Sequence, residues 1–210
     1  MERVGIFGGT YDPIHLGHLR AAEEVRENLA LERVLFIPAG HPPHKHRPDL
    51  TPFEKRLEMT RLAVEGVPGF WVSDLEGRLP GPSYSVRTLK KLRAEAPAEY
   101  FFVLGLDAFL EIETWYQYLV LPELAHLVVI TRGEGGEEEF RKKAQEVFPH
   151  LLEEGAYFRY PRGFTLRFLP VTRLDISSTF IRQTVKAGRS IRFLVPEPVR
   201  RFILAQGLYR

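Results

Sequence analysis

The chain of 210 residues contains no cysteine. That absence excludes disulfide staples, thiolate nucleophiles and cysteine-ligated zinc or iron–sulfur centres, and it suits a cytoplasmic location. Long hydrophobic runs are missing as well. The best apolar stretch, "LVLPELAHLVVI", is broken by Pro122, Glu123 and His126. The first residues, "MERVGIF", run into a glycine-rich turn without an apolar segment of signal length, so neither a membrane span nor a signal peptide is expected. Neither sign of charge dominates: 29 Lys and Arg against 27 Asp and Glu leave a formal net charge of +2. Such a balance offers no global attraction to a nucleic-acid polymer or a membrane surface, and any basic site must be local. Amides are scarce, with Asn28 alone and four Gln beside 22 Arg and 7 Lys, a pattern that suits a thermophilic source. No internal repeat and no linker rich in Pro, Gly or Ser divides the sequence. With 44% hydrophobic residues the chain can bury one substantial core, and a single domain over 1–210 is expected, its C-terminal part, about 177–210, helical.

What is present alternates. "RVGIFG" reads as a buried strand, and "IHLGHLRAAEEVRENLA" follows with Leu16, Leu19, Ala22, Val25 and Leu29 at helical spacing. "RVLFIP" is a second strand. "TPFE" announces the next helix, with Thr51 as cap, Pro52 in the first helical position and Glu54 completing a capping box, and that helix is expected to end near Val67. "FWVSDL", "YFFVLGL", "HLVVIT" and "LRFLPV" supply further strands, with helical patterns after Ser83, Asp107 and Glu137. The acidic "EGGEEE" reads as a solvated loop and helix start, where carboxylates suit the dipole. This order predicts an α/β fold: a Rossmann-like, doubly wound, mostly parallel sheet with helices on both faces, binding ligands beyond the carboxyl ends of its strands.

Three segments carry chemistry. In "GGTYDPIHLGHLR", Gly8 and Gly9 let backbone approach a ligand closely, and Asp12-Pro13 fixes a turn into a helix start whose N–H groups suit anions. His15 and His18, three apart, share one face of that helix and add donors. A metal ion or a packed core could also face them. Five of the seven histidines precede residue 47, but there is no H-E-x-x-H and no third ligand at defined spacing, so histidine metal ligation ranks below phosphate binding. "GHPPHKHRPD", from Gly40, is the densest cationic loop and again follows a strand. In "DISSTFIRQTVKAG", Ser177 or Ser178 can cap a helix running to about Ala187, with Gly188 at its C′ position. Ser178 and Arg182, four apart, could converge on one anion; a plain capped helix with a surface arginine accounts for the same pattern.

Together these segments resemble a known family. "GGTYDPIHLGH" is similar to the G-x-F-D-P-x-H-x-G-H signature of the nucleotidyltransferase superfamily, and "ISSTFIR" to its late I-S-S-T-x-I-R signature. "PPHK", "GPSYSVRTL", "LGLDAFLEIETWY" and "FLVPEPV" narrow the resemblance to the bacterial nicotinate-nucleotide adenylyltransferases, from Val4 to Tyr209. Departures are small: Tyr11 replaces a usual Phe, and Leu106 lies inside the Gly-x-Asp motif. The resemblance implies transfer of AMP from ATP to nicotinic acid mononucleotide in NAD biosynthesis, by direct in-line attack without a covalent intermediate. It implies catalytic roles for His15, His18 and Arg182. Gly8, Gly9, Gly105, Asp107, Ile176, Ser177, Ser178 and Arg182 are implied to bind ATP, and Thr10, His44, Lys45, Ser85, Thr88, Trp115 and Tyr116 the mononucleotide. Magnesium is expected on the ATP phosphates rather than in a protein cage. The implied partners are ATP and nicotinic acid mononucleotide, with no nucleic-acid polymer and no membrane, and a homo-oligomer left open. The alternatives are another adenylyl- or cytidylyltransferase of the superfamily, acting for example on phosphopantetheine, and a non-catalytic dinucleotide sensor. "SYSVRTL" and "ETWY" speak against the first, and intact His18, Lys45 and Arg182 against the second.

Overall fold

In the computed structural model, which describes residues 1–43, 49–148, 150–161 and 163–210, the alternating pattern becomes a sheet of eight strands. β1 (Arg3–Gly9), α1 (Leu16–Asn28), β2 (Arg33–Pro38), α2 (Phe53–Val64) and β3 (Phe70–Val72) form the first half. Short α3 (Leu75–Arg78) and α4 (Ser85–Glu95) lead to β4 (Glu99–Gly105), α5 (Leu106–Leu110), α6 (Leu121–Leu124) and β5 (His126–Arg132). α7 (Glu137–Val147) is followed by β6 (Leu152–Glu154), β7 (Tyr157–Arg159) and β8 (Thr165–Val171), and the chain closes with α8 (Ser178–Lys186) and α9 (Glu197–Ala205).

The strand order is β3-β2-β1-β4-β5-β8-β7-β6. Pairs from β3 through β8 are parallel, and β6–β7 with β7–β8 form an antiparallel extension. β1 to β3 wind one way from the centre and β4 to β8 the other, so the order reverses between β1 and β4. Alternating side chains feed two cores. Phe7, Phe36, Phe101 and Val103 pack on one face with Ala22 and Val25 of α1, Ile181 of α8 and Val199 and Ile203 of α9. Val4, Ile6, Ile37, Phe102 and Leu104 pack on the other with Leu89 of α4 and Phe140 of α7. Strands buried on both faces explain why these runs read as nearly continuous apolar segments. Among the described residues no helix is long and apolar enough to cross a membrane.

Three boundaries differ from the sequence expectation, one being the end of α2, which stops at Val64 rather than near Val67. α2 starts at Phe53 with Pro52 as its N-cap, because Thr51 is buried and its carbonyl accepts from Arg56 Nε at 2.9 Å, leaving no capping box. "FWVSDL" is a strand only to Val72; its last residue opens α3.

Candidate active site

Two cavities open at the carboxyl ends of β1 and β4, and Gly8, Gly9 and Gly105 line both. The first, about 330 Å³, is walled by Thr10, Glu76, Ser83, Ser85, Trp115 and Tyr116. The second, about 450 Å³, is walled by Gly17, His18, Asp107 and Arg132. Glycine is required at position 9: a Cβ there would stand 2.8 Å from the ring of Tyr11. That ring is buried, its backbone is left-handed (φ 50°), and its hydroxyl donates to the Phe7 carbonyl at 2.8 Å. Burial pushes the Tyr11 hydroxyl far above its ordinary pKa, so it stays a donor.

α1 begins after an extended residue, His15, which is its N-cap rather than part of its first turn. The two histidines therefore do not simply project from one helical face. Their rings stack, with centroids 3.7 Å apart, and His18 Nδ1 accepts from the His15 backbone N–H at 3.3 Å. That acceptance assigns the proton of neutral His18 to Nε2, a donor on the side of the ring away from the cap. His18 stays partly exposed on the second cavity, whereas His15 is 1% exposed. Burial, with the nearby Arg132 cation adding to it, lowers the His15 pKa to about 3, so His15 is neutral near pH 7. Its buried Nδ1 has no hydrogen-bond partner among the described residues.

Gly105 is the N-cap of α5, and Asp107, exposed in the first turn, turns toward the second cavity. Arg132, which sequence reasoning missed, ends β5 beside the same cavity and donates to the Ile176 carbonyl at 3.3 Å. Its position at the carboxyl end of a parallel strand was the available signal.

In the first cavity Ser85 is the first residue of α4, where N–H groups lack intrahelical acceptors. Ser83 is tied to the preceding loop in both directions: its N–H donates to the His41 carbonyl at 2.9 Å and its Oγ accepts from the His41 N–H at 3.0 Å. Trp115 meets Phe102 edge-on, centroids 6.3 Å apart, and Tyr116 stacks on Tyr84 at 4.6 Å. Glu76, also missed, is 7% exposed, and burial raises its pKa against the pull of hydrogen bonds from Thr88, Ser83 and Gly40. Thr88 accordingly does not line the cavity. It is 3% exposed and its hydroxyl donates to Glu76 at 2.6 Å, so it shapes the wall from behind. His44 and Lys45 lie outside the described residues.

The late motif sits differently from the expected anion cradle. Ser177 Oγ caps α8, accepting from the Phe180 N–H at 3.1 Å. Ser178 Oγ donates to the Pro13 carbonyl at 2.8 Å, and Arg182 Nη1 donates to the Asp12 carbonyl at 2.7 Å. These side chains staple the loop between β1 and α1, whose backbone carbonyls need donors from outside it. Among the described residues Ile176, Ser177, Ser178 and Arg182 do not line either cavity; they approach the second one through the contact of Ile176 with Arg132. Arg56, likewise missed, does similar work. Fully buried, it donates to the carbonyls of Thr51, Thr10 and Gly40. Its place on the apolar stripe of α2, with Phe53, Leu57 and Thr60, was the signal that it points inward.

Comparison with known proteins shows the family and the fold. The cytidylyltransferase-like family model matches residues 6–184. A protein of Desulfatibacillum aliphaticivorans named "Probable nicotinate-nucleotide adenylyltransferase" is 45% identical over 215 residues, covering 99% of this chain and 99% of its own. One of the same name from Syntrophotalea carbinolica is 46% identical over 214 residues, covering 99% and 97%. Among solved structures, the Plasmodium falciparum nicotinic acid mononucleotide adenylyltransferase complexed with NaAD shares the fold, with a TM-score of 0.77 at 19% identity over 100% of this chain and 98% of that one.

Proposed function

The chain belongs to the cytidylyltransferase-like family and, within it, to the nicotinate-nucleotide adenylyltransferases, and we propose on that premise how its two cavities divide the reaction. The enzyme transfers AMP from ATP to nicotinic acid mononucleotide, releasing pyrophosphate and forming the deamido dinucleotide in NAD biosynthesis. In our reading the mononucleotide occupies the first cavity, its pyridine ring against Trp115 and its carboxylate toward the start of α4 at Ser85. ATP occupies the second, with a ribose hydroxyl on Asp107 and the triphosphate beside His18 and Arg132. The observation that carries this reading is the shared floor. Gly8, Gly9 and Gly105 line both cavities, with Val103 and Leu104, at the point where the strand order reverses, so at three shared positions no side chain keeps an acceptor phosphate on one side from an α-phosphorus on the other.

One oxygen of the mononucleotide phosphate attacks the α-phosphorus, a new P–O bond forms, and the bond to the β-phosphate oxygen breaks with pyrophosphate leaving in line. Such a displacement asks the protein for position and charge stabilisation. The Nε2–H of His18 supplies a donor to the charge growing on the α-phosphate, and Arg132 a cation to the leaving group. Ser177, Ser178 and Arg182 act through α8, which holds the loop of Asp12 and Pro13 in place, and any direct phosphate contact from them would follow nucleotide entry. Magnesium enters as part of the ATP substrate, liganded by phosphate oxygens and water. A second cavity walled by imidazole, guanidinium and one carboxylate suits the polyanion better than a bare cation. We read the whole chain as one catalytic domain working in the cytoplasm.

The test is pyrophosphate release from ATP with a panel of acceptors: nicotinic acid mononucleotide, nicotinamide mononucleotide and phosphopantetheine. The expected result is turnover dependent on both substrates and fastest with the nicotinate acceptor. Faster turnover with phosphopantetheine, or tight dinucleotide binding without turnover of any acceptor, would overturn the assignment.

A further inference from the structure

The loop from Thr10 to Pro13 separates the elements that build the two cavities, and side chains from three distant parts of the chain hold it. Arg56 of α2 donates to the Thr10 carbonyl at 2.7 Å, and Ser178 and Arg182 of α8 hold Pro13 and Asp12. The third hold comes from Tyr209. Its hydroxyl donates to Asp12 Oδ1 at 2.8 Å, a contact between residues 197 positions apart. The Asp12 side chain is turned inward and is 2% exposed. A carboxylate taken out of water needs charged or hydrogen-bonding neighbours, and here it has the phenol and the field of the buried Arg56 guanidinium.

The chain bends specifically to deliver that phenol. After α9 the N–H of Gly207 donates to Leu204 and that of Leu208 to Ile203, reversing the backbone. Gly207 (φ 59°) and Tyr209 (φ 64°) are both left-handed. That conformation is uncommon for a bulky residue and persists where surrounding contacts over-determine it. Tyr209 lines a separate cavity with Thr51, Pro52, Arg182 and Gln183 and lines neither cavity of the candidate site, so its hydroxyl acts on the loop rather than on substrate.

We propose that Tyr209 is a positioning residue for adenylyl transfer: through Asp12 its hydroxyl fixes the Thr10–Pro13 loop, and with it the relative placement of Thr10 in the first cavity and the His15–His18 pair at the second. This rests on the reading of the two cavities given above. A displaced loop leaves each cavity able to bind its nucleotide but misaligns the acceptor oxygen with the α-phosphorus, so the loss falls on kcat rather than on the KM for ATP.

The test compares wild type, Tyr209→Phe, Asp12→Asn and the double variant in the full chain, by steady-state kinetics, melting temperature and hydrogen exchange of the peptide spanning 9–15. Expected for Tyr209→Phe is a kcat lower by roughly 10-fold or more, a KM for ATP within about 2-fold, and faster exchange in the loop. The Asp12→Asn background should absorb the effect, so that adding Tyr209→Phe to it changes kcat little, as for two members of one interaction. An unchanged kcat in Tyr209→Phe, with or without faster loop exchange, overturns the proposal. A fallen kcat without faster exchange, or full additivity of the two changes, does so as well. Should Tyr209→Phe melt too early for kinetics, Asp12→Asn, which keeps the shape but loses the charge that makes the carboxylate a strong acceptor for the phenol, is read by the same kcat and KM criteria. Absence of dinucleotide product from wild type would instead sink the functional reading, while loop exchange in Tyr209→Phe would still report on the latch.

Discussion

At the scale of single residues, the stacked histidines have opposite fates because one is covered and the other is not. His18 lines the second cavity, partly exposed, and accepts a backbone N–H on its Nδ1, which leaves Nε2 to carry the proton offered to a phosphate in the proposed reading. His18→Ala is therefore expected to lower kcat by roughly 100-fold or more, the scale of losing a donor aimed at developing charge, with a smaller effect on nucleotide binding. Steady-state kinetics at saturating substrates checks this, and near-wild-type turnover would remove His18 from the mechanism. His15 has a pH signature. Its folded pKa of about 3 lies below the ordinary imidazole value, so as pH falls the unfolded chain takes up a proton first. Stability from this group is complete above about pH 6.5 and is lost progressively between there and pH 3. Between pH 7 and 5 the loss is on the order of 2 kcal/mol. Urea unfolding of wild type and His15→Asn at both pH values should show the smaller loss in the variant; equal losses would place the pH dependence elsewhere.

At the scale of elements, in the proposed reading, the start of α4 and Trp115, which line one cavity, divide selectivity from affinity. Backbone N–H groups and the positive end of an eleven-residue helix favour a pyridine carboxylate. An amide there would set donors against donors. A kcat/KM preference for the acid of at least roughly 100-fold is expected. Trp115→Ala should raise KM for both mononucleotides and leave that ratio nearly intact, because stacking serves either ring. Paired kcat/KM values decide: similar wild-type values contradict the carboxylate reading, and a ratio that collapses in the variant moves discrimination to the tryptophan. The elements that build this arrangement were mostly legible in sequence. β1, β2, β4 and β5 are apolar on both faces, and α8 has a serine cap and Gly188 just beyond its end, so period and punctuation agree. The β6–β7 hairpin was not legible, since all of "LEE" in β6 is exposed and three residues carry no alternation. Thr51 misled because a capping pattern is local, whereas the Thr51 side chain is hydrogen-bonded to Tyr209, far along the sequence, and does not cap α2. Thr88 and Ser178 differ from the motif's expectation for a related reason, their hydroxyls here donating to Glu76 and to the Pro13 carbonyl. A motif shows which residues gather at a site but not which side of the wall each hydroxyl faces.

At the scale of the whole molecule, the site exists because a parallel sheet reverses its strand order between β1 and β4, leaving two clefts with one glycine floor. The ends of the chain close around it. Helix α8 and Tyr209 grip the loop that follows the first strand, so residues near both ends of the sequence fix one turn of backbone. Arg56 ties the same turn to the loop at Gly40, on the side of the first cavity. The account stands or falls on where the two substrates lie. A crystal structure of the protein with nicotinic acid mononucleotide and a non-hydrolysable ATP analogue tests this most directly. It should place the pyridine ring on Trp115, the triphosphate beside His18 and Arg132, and the acceptor phosphate facing the α-phosphorus across Gly8 and Gly9. Both nucleotides in one cavity, or an α-phosphate on the far side of His18 from that glycine floor, would contradict it.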